Sequence, residues 1–295
     1  MSDVGPRFLK GHGTGNDFVL MPDPMGSLDL DPALVVALCD RRSGVGADGV
    51  LRVVPSALTA EAAASADRAT WFMDYRNADG SLAEMCGNGL RVFARFLVRE
   101  GLEAPGRFAV ATRAGVRAVL DDGRGDVVVD MGPAVLPGLG TVRVSVDGSS
   151  TTWAATAVDM GNPHVVVVLD DLDDAGPLCA APHVAPAAAF PDGVNVEFAV
   201  RVGPRHVAMR VHERGVGETQ SCGTGGCAVF AAVSEADGGA PAGDEWVVDV
   251  PGGRLLLRRR DDGGIDLRGP AELVADGTLD PVWVAAHGRR AGAGS

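Results

Sequence analysis

Two short stretches of this sequence are near copies, and each centres on a cysteine: Met85-Cys86-Gly87-Asn88-Gly89 and Ser221-Cys222-Gly223-Thr224-Gly225. Each follows a polar stretch and leads into an apolar, helix-like segment, Leu90 to Val98 and Cys227 to Val233. The pattern places a thiol at the start of a helix, twice. Unpaired N–H groups and the helix dipole favour negative charge there, so such a thiol is expected to lose its proton more easily. Two thiols working on opposite sides of one carbon would form the acid–base pair that a cofactor-free racemase or epimerase needs. A free thiol has a pKa of about 8.5, so one thiolate and one thiol make a natural resting pair. Glycine after each cysteine lets the backbone approach closely. The N–H groups of Cys86-Gly87-Asn88 and Cys222-Gly223-Thr224 can then face a developing negative charge. Isolated cysteines are often inert core residues; the repeated Cys-Gly-x-Gly context argues against that here.

The remaining cysteines, Cys39, Cys179 and Cys227, bring the count to five. An odd, widely spread set in a chain of 295 residues is not a secreted disulfide framework, and no CxxC or Cys/His spacing suggests a metal. Cys227 lies just inside the second helix and reads as packing. Lys10 is the only lysine. A pyridoxal enzyme needs a Schiff-base lysine, and one at the end of a first strand makes that chemistry improbable, so no cofactor is expected. A net charge of −13 without a Lys/Arg cluster argues against nucleic-acid binding. No leader-like or membrane-length apolar run occurs, which points to a soluble cytoplasmic protein with a small-molecule substrate.

The elements that must position the cysteines come in two similar series. Arg7 to Lys10, Asp17 to Met21, Val50 to Val54 and Thr70 to Tyr75 read as strands. Asp31 to Cys39 reads as a helix capped by Asp31 with Pro32 in its first turn. Ala57 to Ala69 reads as a surface insertion. The helix Asn88 to Arg99 follows, then strands at Arg107 to Ala111, Val116 to Leu120 and Asp126 to Met131. The second half repeats the plan: strands at Thr151 to Asp159, His164 to Leu169, Val194 to Ala199 and His206 to His212, a helix at Gly226 to Glu235, and strands at Glu245 to Val250, Gly253 to Arg259 and Gly264 to Arg268. Between them, Asp170 to Asp192 reads as a long loop with a short helix. His287 to Ser295 reads as disordered.

Aligning the two cysteines brings Asn77 onto Glu213, each nine residues upstream, and Gly49 close to Asn195. This internal repeat predicts an α+β fold of two pseudo-symmetric domains, each a curved mixed or antiparallel sheet wrapped around a central helix, with the active site in the cleft between them. The expected boundaries are 1–135, completed by a segment near 278–288, then 136–277, and a tail at 289–295. Gly44-Val45-Gly46-Ala47-Asp48-Gly49 fits GxGxxG literally, but it follows a helix rather than a strand, so dinucleotide binding is not expected.

Lys10 to Phe18, Asn77-Ala78-Asp79-Gly80, the two cysteine motifs, Met160 to His164, Val194-Asn195-Val196 and Glu213 to Thr219 together resemble the diaminopimelate epimerase family, in order and spacing, over nearly the whole chain. The resemblance implies a pyridoxal-independent isomerase that interconverts LL- and meso-2,6-diaminopimelate for lysine and peptidoglycan synthesis, usually as a homodimer. It implies that Cys86 and Cys222 are catalytic. Gly87, Asn88, Glu213, Gly223 and Thr224 would hold the reacting end of the substrate; Asn16, Asn77, Asn162, Asn195 and Arg214 would hold the distal end. His164 is expected in a supporting role. The residue types suit these roles. Glu213 can accept from an ammonium, Arg214 offers a bidentate fork to a carboxylate, and asparagine both donates and accepts. Many family members carry Gln where Gly49 stands, and the segment Cys179 to Phe190 is richer in Ala and Pro than the family pattern. The rival readings are another amino-acid racemase or epimerase of the same superfamily and, in a different class, a thiol redox switch.

Overall fold

Among the residues that a computed structural model describes, 5–288, four α-helices interrupt a chain dominated by strands: α1 Pro32–Cys39, α2 Gly87–Arg99, α3 Gly223–Ala236 and α4 Pro281–His287. The described chain divides into two units. The first runs through Gly13, takes in Asp17–Val127 and resumes from Pro270; the second comprises Thr14–Asn16 and Val128–Gly269. The expected junctions stood at 135/136 and 277/278.

In the first unit, the strand Asn16–Pro22 runs, from Phe18 onward, parallel to Gly49–Pro55, which runs antiparallel to Trp71–Asn77. Trp71–Asn77 is parallel to Gly106–Thr112, which forms a hairpin with Gly115–Asp121. In the second unit, Pro163–Leu169 is parallel to Asn195–Gly203, which is antiparallel to His206–Glu213. His206–Glu213 is parallel to Glu245–Val250, which pairs with Gly253–Arg259. The same pairing sequence thus occurs twice, with α2 and α3 inserted at equivalent points, as the internal repeat requires.

Each long helix is held by burial of its apolar side chains. Leu90, Val92, Phe93, Phe96 and Leu97 of α2 are buried, as are Cys227, Val229, Phe230 and Val233 of α3. A helix that buries most of its surface cannot shift without exposing that area, at roughly 25 cal/mol per Å². Its N-terminus is therefore fixed in position.

Most elements fall where the hydrophobic pattern puts them, with differences at the ends. The first strand, Arg7–Gly13, outruns its expected end at Lys10 because Glu272–Thr278, a strand the pattern does not reveal, pairs with it. Residues 57–69, expected as a surface insertion, contain two short 3₁₀ turns. They contribute Ala62 and Ala69 to a buried cluster with Val54, Phe72 and Ala111, so the segment is partly core. His287 lies in α4, whose N-cap Asp280 accepts from Val282 and Trp283, and so is ordered rather than part of a tail; residues 289–295 lie outside the described residues. The stretch from Gly44 to Asp48 links α1 to the strand Gly49–Pro55, so its GxGxxG pattern does not open a helix. No helix among the described residues is long and apolar enough to cross a membrane.

A buried carboxylate knits the first unit together. Asp74 accepts from Arg76 Nε (2.9 Å) and Arg113 Nη2 (2.6 Å), and Arg52 Nη1 lies 3.6 Å from it. Burial alone would push this carboxyl up, but the hydrogen bonds from Arg76 and Arg113 outweigh it and hold Asp74 below its ordinary value. The folded-state value is depressed, so the stabilisation is present above the unfolded value of about 3.9 and is lost as pH falls below it. The midpoint of thermal unfolding should therefore fall steeply below about pH 4. Asp74→Asn should cost about 3–5 kcal/mol in urea denaturation at pH 7, because it leaves buried arginines uncompensated. A loss under about 1 kcal/mol would show that the network contributes little.

Candidate active site

Cysteine at an N-cap is unusual, because serine, threonine, aspartate and asparagine are the favoured residues there. Cys86 nevertheless caps α2 in an extended conformation, with its sulfur accepting the Gly89 N–H at 3.4 Å. Cys222 caps α3 in the same way, accepting from Gly225 at 3.3 Å. Neither helix carries an acidic residue in its first turn. The N-terminal partial charge of each is thus left to the sulfur and to whatever lies before it.

In the first unit, Gly87, Asn88 and Gly89 are buried behind a half-buried Cys86. A side chain at Gly89 would press on Phe18 and Leu51, so glycine lets α2 sit close to its strands. Asn77 ends its strand opposite Gly49 and donates through Nδ2 to Ser81 Oγ at 3.0 Å. A Cβ at Gly49 would come within 2.7 Å of the Tyr75 ring and 2.6 Å of the Arg76 carbonyl oxygen. The Tyr75 ring therefore fills the space into which a residue-49 side chain would project.

In the second unit, Thr14 and Gly15 turn with positive φ (51° and 79°) and deliver Asn16. Thr14 Oγ1 lies 2.7 Å from Ser221 Oγ, which ties this turn to the residue before Cys222. Gly252 passes so close to the Thr14 carbonyl that any Cβ there would collide with it.

The strands of this unit gather the remaining residues. Asn195 stands opposite His164 on the parallel pair. Its Oδ1 accepts the Arg214 backbone N–H at 2.9 Å, and its Nδ2 donates to the Pro163 carbonyl at 3.3 Å. Arg214 itself is exposed and donates to the Asp192 carbonyl at 3.2 Å. It borders a cavity of about 240 Å³ lined by Pro182, Val184, Phe190 and Val194, so the Ala/Pro-rich segment shapes the surroundings of this cation. His164 is buried, with Nδ1 2.6 Å from Glu197 Oε1 and Nε2 3.0 Å from Asn162 Oδ1.

Cys222, Glu213 and Thr224 form a connected group. Thr219 Oγ1 donates to Glu213 Oε1 at 2.5 Å, Cys222 is also hydrogen bonded to Glu213, and Cys222 Sγ lies 3.4 Å from Thr224 Oγ1. Burial pushes the Glu213 carboxyl above its ordinary value, against the pull of the Thr219 and Cys222 hydrogen bonds. Burial, reinforced by the Glu213 and Glu197 charges, pushes the Cys222 thiol well above its ordinary value. This reverses the expectation for Cys222 drawn from the helix start alone. A 3.3 Å N–H contact and a half-charge dipole do not offset removal from water beside two carboxylates. Cys222 is therefore held as a thiol.

Two features escaped the sequence. Glu197 is fully buried beside His164; its position two residues after Asn195 on one strand, hence on the same face, was the available signal. Thr14 and Ser221 sit inside recognisable motifs, yet their mutual contact has no local signature. The other cysteines stand apart from these groups. Cys227 is packed in α3; Cys39 is buried, and burial first of all pushes its thiol up to about 12; Cys179 is exposed. Among the described residues no group of three or more His, Cys, Asp or Glu side chains is placed to hold a metal ion.

The chain is similar to known proteins over most of its length. The family model described as diaminopimelate epimerase matches residues 8–137 and 156–274. A diaminopimelate epimerase of Streptomyces coelicolor is 58% identical over 94% of this chain and 96% of its own length. One of Thermobifida fusca is 49% identical over 92% and 97%. Among solved structures, a hydroxyproline epimerase from Agrobacterium vitis superposes with a TM-score of 0.65 at 17% identity, covering 93% of this chain and 90% of that one. A probable proline racemase from Agrobacterium radiobacter gives 0.67 at 16% identity, with 97% and 96% coverage. At such identities the likeness is one of fold: two pseudo-symmetric α+β halves.

The Glu213–Cys222 coupling makes a chemical prediction. Glu213→Gln removes a negative charge beside the thiol, so the thiolate fraction rises. Alkylation of Cys222 by iodoacetamide at about pH 8.5, followed by peptide mass spectrometry, should accelerate on the order of tenfold, the effect of about 1.4 kcal/mol of relieved repulsion. An unchanged or slower rate would contradict the assigned direction.

Proposed function

The chain belongs to the diaminopimelate epimerase family, and from that premise we propose that Cys86 and Cys222 interconvert LL- and meso-2,6-diaminopimelate as a two-base pair. The supporting observation is that the same cysteine-capped helix start occurs once in each unit, with an N–H of the first turn on each sulfur.

The chemistry sets the requirements. One cysteine, as thiolate, takes the α-proton; the C–H electron pair stays on the α-carbon and spreads into its carboxylate. The other cysteine, as thiol, delivers its proton to the opposite face, and a new C–H bond forms with inverted configuration. The two sulfurs have then exchanged protonation states, and exchange with solvent resets them. Both thiols must therefore reach one α-carbon. A positioned general acid or base contributes about 10²–10⁴-fold to such a step.

The remaining residues take roles that fit their chemistry. The N–H groups at Gly87, Asn88, Gly223 and Thr224 face the charge that grows on the carboxylate, where each fixed donor is worth about 10²–10³ in rate. Glu213 accepts from the α-ammonium. A bound ammonium also offsets the negative charge that holds the Cys222 thiol up, so substrate binding lowers the barrier to ionising Cys222. Asn16, Asn77, Asn162, Asn195 and Arg214 hold the distal end, where the guanidinium of Arg214 matches a carboxylate. His164 supports Asn162. No cofactor enters these steps. The product serves lysine and peptidoglycan synthesis, and we place the enzyme in the cytoplasm as a homodimer.

The test uses reduced protein free of pyridoxal phosphate and LL-diaminopimelate, with stereoisomers separated by chiral chromatography. The wild type should produce the meso form up to equilibrium. Cys86→Ala and Cys222→Ala should each lose at least about 10³-fold in kcat while keeping a native circular dichroism spectrum. Near-wild-type turnover in either variant would rule out the two-thiol mechanism. Absence of turnover in the wild type would redirect the reading to another amino acid.

A further inference from the structure

Glu197 is a charged side chain that the proposed chemistry does not use, and it is fully buried, as is His164 beside it. Burying a carboxylate costs several kcal/mol unless it is paired and hydrogen bonded. Its surroundings show what it is paired with. Oε1 lies 2.6 Å from His164 Nδ1, which donates to it. Among the described residues His164 is its ion-pair partner, and Oε2 accepts no hydrogen bond. Its space is provided by Gly225, where a Cβ would come within 2.7 Å of Oε1 and 3.2 Å of Cys222 Sγ. The carboxylate thus occupies the notch that a glycine leaves in the first turn of α3.

From Glu197 the chain of contacts runs outward. His164 shows its other nitrogen, Nε2, to Asn162 Oδ1 at 3.0 Å. An imidazole has two ring nitrogens in one rigid plane, so fixing Nδ1 fixes the direction of Nε2. The arrangement resembles the outer partners that orient ligating histidines in metal sites, where a carboxylate on one nitrogen sets what the other can do. Here the group being oriented is an asparagine side chain.

We propose that Glu197 is a positioning residue: by holding His164 through Nδ1 it sets the orientation of Asn162 toward the distal end of the substrate. Glu197 touches no reacting atom. Its neutral isostere keeps the volume but replaces the carboxylate by an amide, which weakens the contact with Nδ1 and frees the ring. The Glu197 charge also bears on Glu213 and Cys222, pushing both upward. The kinetic part of the inference rests on the epimerase reading; the structural part does not.

The experiment compares wild type, Glu197→Gln and Glu197→Asp. Proton NMR of histidine-labelled protein should show a far-downfield imidazole N–H resonance from the short contact in the wild type. It should be lost in Glu197→Gln and weakened in Glu197→Asp, which retracts the charge by about one bond length. With LL-diaminopimelate, Glu197→Gln should raise KM about tenfold and leave kcat within about threefold, the pattern of a lost uniform-binding interaction. Glu197→Asp should lie between. In an Asn162→Ala background the Glu197→Gln effect should shrink to less than about twofold, because the group being oriented is gone. A role confined to holding the fold would instead lower the melting temperature and add fully to Asn162→Ala. Full additivity, an unchanged KM, or a resonance that survives Glu197→Gln would each overturn the proposal. Should Glu197→Gln fail to fold, Glu197→Asp decides by the same readouts. A wild type that shows the resonance but does not turn over diaminopimelate would overturn the substrate reading and leave the Glu197–His164 contact standing.

Discussion

A sulfur at the N-terminus of a buried helix is the constraint on which the rest of this protein turns. A helix start offers unpaired N–H groups and a positive partial charge, but only to an atom held within its first turn. Cys86 and Cys222 meet that condition because each is itself the N-cap, bonded to the N–H three residues on. The position of each sulfur is then the position of its helix, fixed by the apolar side chains along α2 and α3. The local motif is a consequence of placing an ionisable sulfur where backbone donors are free.

The surroundings of Cys222 show a balance of opposing effects. Desolvation and two nearby carboxylates hold the thiol protonated, while the helix start and the Thr224 hydroxyl favour the thiolate. A base that ionised freely in the empty protein would be exposed to oxidation and alkylation. One held protonated by neighbouring carboxylates ionises only when their negative charge is offset. The second unit supplies this balance from segments far apart in sequence: His164 from one strand with Asn162 just before it, Asn195 and Glu197 from the next, Glu213 from a third. Parallel pairing of Pro163–Leu169 with Asn195–Gly203 brings His164 level with Asn195, and from that register the polar group follows.

Much of this was legible in the sequence because its signals are local. The cysteine motifs, the Asp31-Pro32 cap and the alternating apolar strands each carry their information within a few residues. What was missed depends on distant partners. Glu272–Thr278 has no alternating apolar pattern, and it is a strand because Arg7–Gly13 lies beside it. Ala62 and Ala69 are too small to announce burial, yet they fill space next to Phe72. Glu197 carries no local signal of its role, because its partner His164 lies 33 residues earlier. Asp280-Pro281 repeats the capping signal of Asp31-Pro32 and could have announced α4; its nearness to a glycine- and alanine-rich tail obscured it. The direction of the Cys222 shift was misjudged for the same reason: the helix start is visible in sequence, and the two carboxylates that oppose it are not.

The central claim is that two different sulfurs serve the two faces of one carbon, and the first turnovers in deuterium oxide test it most directly. The enzyme is given LL-diaminopimelate with hydrogen at the α-carbon. Deuterium is then measured separately in the product and in the recovered substrate at low conversion. Two bases predict a meso product carrying deuterium at the inverted carbon while the remaining LL substrate keeps its hydrogen, because the proton-donating thiol has already equilibrated with solvent and the proton-accepting one has not. Deuterium entering the recovered LL substrate as fast as the product would mean that one group both removes and returns the proton, and would contradict the account.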